Sequence, residues 1–211
     1  RAEGPAMALA CLSLVFFGHA AWGAIILPAE VFPARAVGTV SALAGSPGAL
    51  AGVAVLDASP GPSFENRAML FDPAGGSAAR YLKTTAVPGF EARFGVRGDG
   101  RLPMVETPHG RVTTAICYDL DFPWLLRQAG QGRADLLLAP ASDWREIGEL
   151  HHIAAVFRAV ENGVTLVRAT RWGWSAVVDA RGRELAWLDH FAVGERVLIA
   201  EVPVAGRRTL Y

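Results

Sequence analysis

The stretch RVTTAICYDLDFPWLLRQAGQGRADLLLAP, residues 111–140, decides how the rest of the chain is organised. Its first part, RVTTAIC (111–117), is rich in β-branched and small residues and reads as a strand ending at a cysteine. PWLLRQAGQG (123–132) opens on proline, which is at home in the first helical turn, and reads as a short helix. ADLLLAP (134–140) is a continuous apolar run of strand length, as expected of a strand buried on both faces. Strand, helix and strand in that order, with hairpins towards either end of the chain, predict an α/β layered fold.

The flanks extend this pattern. GVAVLD (52–57) and RAMLFDPAGG (67–76) read as a strand hairpin, with SPGPSFEN as its turn. RYLKTTAVPGFE (80–91) starts extended and breaks at Pro-Gly, and FGVRGDGRLP (94–103) has loop composition. From Glu149 to Glu161, Ile153, Val156, Phe157 and Val160 recur at three and four residues, which predicts an amphipathic helix closed by Asn162 and Gly163. VTLVRAT, SAVVDARGRELA and RVLIAEVPV read as further strands, with a tight turn at Arg181 and Gly182. Repeats and low-complexity tracts are absent from the sequence.

Length and composition narrow the function classes. With 211 residues, 52% hydrophobic and 19% charged, the chain suits one domain with strands buried on both faces, or membrane contact. Lys plus Arg and Asp plus Glu both number 20, so there is no basic field for nucleic acid. No Gly-rich phosphate loop is present, and a nucleotide cofactor is not implied. Cys11 and Cys117 lie in such different contexts that a disulfide between them is not expected, which fits a reduced compartment or an isolated reactive thiol.

No Asp, Glu, Lys or Arg occurs between Glu3 and Glu30. The run is long enough to cross a bilayer as a helix of about 20 residues. A core helix leading into a short strand at AIIL (24–27) is the other reading, because Gly18, His19 and Gly23 suit a lipid-facing helix poorly. Residues 1–23 are accordingly set apart as an apolar segment, and 24–211 as the domain. The chain begins with Arg1, which suggests that its N-terminal part is incomplete.

Cys117 is the first candidate for chemistry. A free cysteine is often simply buried, but this one ends a strand before a turn and a helix. Strand ends in α/β sheets open onto ligand crevices, and helix-start N–H groups can hold an oxyanion. A thiol with a reference pKa of about 8.5 needs a base or a cation to act near neutral pH. Asp119 and Asp121 would oppose a thiolate by like charge, so help must come from elsewhere. Lys83, in a largely apolar stretch, and Glu30, at the end of the uncharged run, are the candidates. Residue types and positions leave packing and nucleophile readings of Cys117 both open.

ENRAMLFDPAGGSAARYLKTTAVPGFE, AICYDLDFP, ADLLLAPASDW and HHIAAVFRAVENGVTLVRATRWGWSAVVDARGR resemble, in order, the successive blocks of the nitrilase, or carbon-nitrogen hydrolase, superfamily. RAVENG, VRAT and GWSAVVD are most similar to its apolipoprotein N-acyltransferase branch, while the cysteine block is shared with amidases. The resemblance implies a four-layer α-β-β-α sandwich whose first strand has no clear counterpart here. It places the family's Glu, Lys and Cys triad on Glu30, Lys83 and Cys117, and its second glutamate on Glu91. Glu30 would serve as general base, and Cys117 would form an acyl-thioester. Lys83 and the N–H of Tyr118 would stabilise the oxyanion, with Glu91 orienting Lys83 or a reactant. Ala29 separates Pro28 from Glu30, where the family usually has the two adjacent.

The implied activity is acyl transfer to an amine, in that branch from a phospholipid to a lipoprotein. Amide hydrolysis with water as acceptor is the alternative, and an inactive copy serving as an interaction module is a third. Partners implied are a small amide or acyl donor, with membrane association and a homo-oligomer left open, and the location is membrane-associated or cytoplasmic. Trp144, Trp172 and Trp174 could line a pocket or merely pack at its rim. His151 and His152 lack a Cys or acidic partner at ligand spacing, so no metal site is expected. Arg158 and Glu161, three apart on one helix, are expected to form an ion pair.

Overall fold

A computed structural model describes residues 26–27, 36–42, 49–57, 63–71, 76–192, 198, 200–204 and 209. The expected first helix, the undivided apolar segment before residue 24 and Glu30 lie outside these residues. Among the described residues, eleven strands form two sheets. The first is antiparallel throughout: β1 (Ile26–Leu27), β2 (Ala36–Ala42), β3 (Ala49–Asp57), β4 (Ser63–Phe71) and β5 (Ser77–Leu82), paired in chain order. The hairpin of β3 and β4 is as anticipated, but β4 already starts at Ser63, inside the stretch read as a turn. Ser63 pairs with Asp57, which shortens the connection to the residues between them.

The second sheet contains β6 (Met104–Thr107), β7 (Gly110–Thr114), β8 (Leu136–Ser142), β9 (Thr165–Arg171), β10 (Trp174–Val178) and β11 (Glu184–Asp189). Their spatial order is 11-10-9-8-7-6. β7, β8 and β9 are parallel and form its centre, while β6, β10 and β11 are added as antiparallel edges. Parallel strands need a crossover, and the helices supply it. Helix α2 (Pro123–Gln131) joins β7 to β8, and α3 (Gly148–Asn162) joins β8 to β9. A short helix, α1 (Phe90–Phe94), follows β5.

β2 and β3 lie against β8 and β9, so the sheets pack face to face, while α3 packs on β9 and β10 from the other side. β8 is therefore covered on both faces. Leu136, Leu137, Leu138 and Ala139 are all buried, which explains why this strand is continuously apolar rather than alternating. The described residues thus supply both sheets and one helical layer of the α-β-β-α arrangement. The run read as a final strand, RVLIAEVPV, is not one among its described residues, 198 and 200–204. The carbonyl of Pro203 instead accepts a hydrogen bond from the Thr165 hydroxyl at 2.8 Å.

Helix α3 has the predicted length and stop, with Gly163 in the left-handed conformation at φ 63° and ψ 33°. Its facing is not the one its apolar spacing suggests. Ile153, Phe157 and Val160 are exposed, Phe157 at 58%, together with Leu150. The buried face carries His151, His152, Ala155, Arg158, Ala159 and Asn162. Ala155 and Ala159 are small enough to let the helix approach the sheet closely. Each of the polar members His151, His152, Arg158 and Asn162 has at least one polar partner, although Arg158 Nε and Nη1 and His152 Nδ1 have none among the described residues. His152 meets Glu184 at 2.6 Å, and Asn162 donates to the Arg158 carbonyl at 2.9 Å. Arg158 pairs with Glu161 at 2.9 Å, as their spacing implied.

This facing has a direct stability signature in urea unfolding. Phe157→Ser should change the unfolding free energy by no more than about 0.5 kcal/mol, as for an exposed site. Ala159→Leu should cost about 1–3 kcal/mol by overpacking the buried face. The opposite ranking would mean that the apolar stripe faces inward.

Candidate active site

The crossover from β7 to α2 fixes the cysteine. β7 ends at Thr114, and Cys117 opens a 3₁₀ turn, Cys117–Asp121, rather than closing the strand as its sequence suggested. The reason is backbone geometry: Cys117 has φ 48°, in a left-handed region that an L-residue seldom occupies and a strand cannot contain. Such strain persists where surrounding contacts over-determine it. Here the contacts come from Asp119, two residues on, whose carboxylate is 0% exposed.

Asp119 ties the cysteine turn to the lysine segment. Oδ2 accepts from the Tyr81 hydroxyl at 2.7 Å and from the Ile116 N–H at 3.1 Å. Oδ1 accepts from the Thr85 N–H at 2.8 Å and its hydroxyl at 2.5 Å. Tyr81 and Thr85 flank Lys83 in sequence, so one buried carboxylate holds both sides of the Lys83 segment against the residue preceding Cys117. Asp119 was read from sequence as a like charge opposing a thiolate. Its lone pairs are instead directed at four donors, a role that non-local contacts alone reveal. Burial, and next the neighbouring Asp119 charge, push the Tyr81 phenol above its ordinary value, so Tyr81 remains a donor.

Lys83 is 4% exposed, a rare setting for a lysine. It is compensated by Glu91, whose Oε2 lies 2.7 Å from Nζ. Glu91 is itself held by the Val87 N–H at 2.8 Å and by the Asn66 side-chain amide at 3.1 Å. The structure therefore brings Cys117, Lys83 and Glu91 into one region, while Glu30 lies outside the described residues.

Burial pushes the Cys117 thiol above its ordinary value; the Lys83 charge pulls it back, and Asp143 opposes that pull. The Cys117 residue is only partly buried overall. Its Sγ donates weakly to the Ser142 carbonyl at 3.6 Å and lies 3.9 Å from Asp143 Oδ1. Ser142 ends β8 and Asp143 follows it, so the thiol faces the carboxyl edge of the parallel strands.

A second buried network, not foreseen from sequence, lies behind the thiol. Arg168 on β9 donates to Asp143 Oδ2 at 2.7 Å, and His151 Nδ1 lies 3.1 Å from Asp143 Oδ1. Burial alone would raise the Asp143 carboxyl, but the His151 hydrogen bond and the Arg168 guanidinium hold it below the usual carboxylate range. His151 Nε2 is 3.5 Å from Asp121 Oδ2. Asp121 is pushed up by burial, partly offset by His151 and Arg168. A charged residue inside the otherwise apolar strand VTLVRAT was the signal available for Arg168. Gly173 is required at its turn, because a Cβ there would lie 2.6 Å from Asp143 Oδ2.

Of the tryptophans singled out, Trp144 and Trp172 sit just beyond the ends of β8 and β9, both exposed. The Trp144 ring centroid is 6.3 Å from that of His151, and the Arg171 guanidinium lies 3.7 Å above the Trp172 ring. Trp174 packs instead between His152 and Trp187, each at 5.5 Å. The Tyr118 ring meets Phe122 edge-on at 5.0 Å, which leaves its main chain in the first turn after the cysteine. Among the described residues, Cys117, Asp143 and His151 are the donors grouped closely enough to hold a metal ion.

The carbon-nitrogen hydrolase family pattern matches residues 15–210. The chain belongs to the carbon-nitrogen hydrolase family. Among curated relatives of this carbon-nitrogen hydrolase, apolipoprotein N-acyltransferase of Shewanella oneidensis is 40% identical over 119 residues, covering 54% of the chain and 23% of that relative. Deaminated glutathione amidase of Yersinia enterocolitica is 32% identical over 93 residues, covering 39% of the chain and 32% of that relative. The chain thus spans a quarter to a third of the length of these relatives. The NitN amidase from Nesterenkonia sp. AN1 has a similar structure, with TM-score 0.63, 26% identity and coverage of 71% of this chain and 61% of that one. A variant of that amidase, with TM-score 0.58, 27% identity and coverage of 64% and 55%, carries the acetamide moiety of fluoroacetamide covalently on its active-site cysteine. Fold and family therefore agree with the resemblance carried by the sequence blocks.

The Asp119 clamp makes a quantitative prediction. Asp119→Ala should lower the free energy of unfolding in urea by roughly 3 kcal/mol or more, since several buried donors lose their acceptor. A loss under about 1 kcal/mol would show that the two segments are held by other contacts.

Proposed function

We propose that the chain carries a thiol acyl-transfer site that moves an acyl group to an amine, in the manner of the N-acyltransferase branch. The observation that carries this reading is the convergence of a strained Cys117 with a buried Lys83 already oriented by Glu91. Burial keeps the resting thiol protonated, so a base must take its proton as substrate arrives. Glu30 fills that role. Sγ attacks the acyl carbon, and Lys83 Nζ with the Tyr118 N–H stabilises the tetrahedral oxyanion. Collapse breaks the bond to the donor's leaving group, which takes the proton held by Glu30, and a Cys117 thioester remains. An amine then attacks the thioester carbon and loses its proton to Glu30; the second tetrahedral species collapses, the C–S bond breaks, and Cys117 leaves and takes that proton back.

Trp144 and Trp172 line the entrance used by the acyl donor in this reading. A phospholipid donor and a lipoprotein acceptor follow from the N-acyltransferase likeness, which also favours membrane association. Among the described residues no helix is long and apolar enough to cross a membrane. Residues 1–23 serve in the same reading as an apolar segment preceding the catalytic domain. Hydrolysis of an amide, with water as acceptor, is the second reading, and it is favoured by the likeness to the Nesterenkonia amidase.

Intact-protein mass spectrometry after exposure to a phospholipid or a short primary amide tests both. Acylation of Cys117 by phospholipid, discharged by a peptide amine, supports acyl transfer; an adduct formed with the short amide and discharged by water supports the amidase. Lys83→Met should slow adduct formation by about 10²–10³-fold, as for loss of an oxyanion donor. Glu30→Gln should slow it by about 10²–10⁴-fold. No Cys117 adduct with either donor, or equal rates in all variants, would overturn the proposal.

A further inference from the structure

The network behind the thiol has a second chemical capacity. Cys117 Sγ, Asp143 Oδ1 and a ring nitrogen of His151 all lie within 4.8 Å of one another. Two edges of this triangle measure 3.1 Å, from His151 Nδ1 to Asp143 Oδ1, and 3.9 Å, from Cys117 Sγ to Asp143 Oδ1. Zinc bonds of about 2.0–2.3 Å in a tetrahedron place ligand atoms roughly 3.3–3.6 Å apart. Shifts of about half an ångström would suit these two edges to one ion, and the third, from Cys117 Sγ to the His151 ring nitrogen at no more than 4.8 Å, would close by up to about 1.2 Å. The donor set combines a thiolate, an imidazole and a carboxylate, which selects zinc over magnesium or calcium.

We propose that Cys117, Asp143 and His151 form a reversible zinc(II) site that masks the thiol. The surroundings supply the outer contacts such a site uses. Arg168 occupies Asp143 Oδ2 and leaves Oδ1 directed at the thiol and the imidazole. Asp121 Oδ2 lies 3.5 Å from Nε2 of His151, otherwise unpartnered among the described residues, close enough that a small approach would give the carboxylate–imidazole pair that orients a metal ligand. Helix α3 presents His151 to the sheet on its buried face, and β8 delivers Asp143, so two elements of the domain meet the cysteine turn. The sequence spacing that argued against a metal saw neither partner.

Binding exchanges protons for the metal. The Cys117 thiol releases its proton to solvent as sulfur bonds to zinc, and a proton on His151 Nδ1 moves to Nε2, so that the imidazole binds neutral through Nδ1. Thiolate and carboxylate together neutralise the dication. Lys83 and Arg168 act on the same thiol and oppose a further positive charge, which makes the site weaker than a closed structural zinc centre. The fourth coordination position is left for water. A zinc-bound Sγ cannot attack an acyl carbon, so occupancy and acylation exclude each other. That consequence rests on the acyl-transfer reading; the site itself does not.

Alkylation separates the two because it needs no substrate turnover. EDTA-treated protein is reacted with iodoacetamide, with and without micromolar zinc, and modification of Cys117 is read by peptide mass spectrometry, with Cys11 as internal control. Zinc should slow Cys117 alkylation at least about tenfold, EDTA should restore the rate, and magnesium should have no effect. The ratio of rates with and without zinc should approach one in His151→Ala and in the more conservative His151→Gln, each compared only with itself. Absence of protection in the wild type, or equal protection in both His151 variants, would overturn the site. Protection by zinc in a protein that never forms an acyl adduct would support the site and overturn only its inhibitory consequence.

Discussion

The buried carboxylate of Asp119 is the constraint on which the site depends. Lys83 lies at the end of an edge strand in the first sheet, and Cys117 follows a strand of the second. Nothing in their separate local sequences requires the two to meet. Asp119 requires it, because its oxygens are satisfied only when Tyr81 and Thr85 on one side and Ile116 on the other close around it. Removing a carboxylate from water is costly unless it is hydrogen-bonded. That cost makes the juxtaposition of the sheets specific as well as stable, and the strained φ at Cys117 is held within the same closure.

Two electrostatic environments then converge on one sulfur. In front, Lys83 favours the thiolate and is held by Glu91. Behind, Asp143 opposes the thiolate and is itself held by Arg168 and His151. The thiol is thus kept protonated by burial yet placed beside a cation that favours its ionisation. Such a balance suits the proposed role of Cys117 as a nucleophile activated when its base and its substrate are both in place. The same arrangement leaves a thiol, a carboxylate and an imidazole within reach of a single ion.

Much of the central sheet was legible from residue order. The apolar run at 136–139 signalled a strand covered on both faces, and the left-handed stop at Gly163 closed α3 as its sequence implied. The facing of α3 was not legible, because hydrophobic spacing assumes that apolar residues point inward. Here Ala155 and Ala159 make the close contact, and His151 and Arg158 are buried with partners distant in the chain or a turn away. At the site, Cys117, Lys83 and Glu91 were recognisable through ordered sequence blocks. Asp119 and Asp143 were not, since a carboxylate's role is set by donors that the fold alone brings to it.

The most direct test of this account is the pH dependence of Cys117 alkylation in metal-free protein. Wild type is compared with Lys83→Met and with Tyr81→Phe/Thr85→Val, which keeps the lysine but weakens the clamp. Loss of a cation disfavours the thiolate, so Lys83→Met should move the midpoint of the rate profile to higher pH, and the clamp variant should move it in the same direction. Coincident profiles for wild type and Lys83→Met would contradict the claim that the fold delivers the Lys83 charge to Cys117.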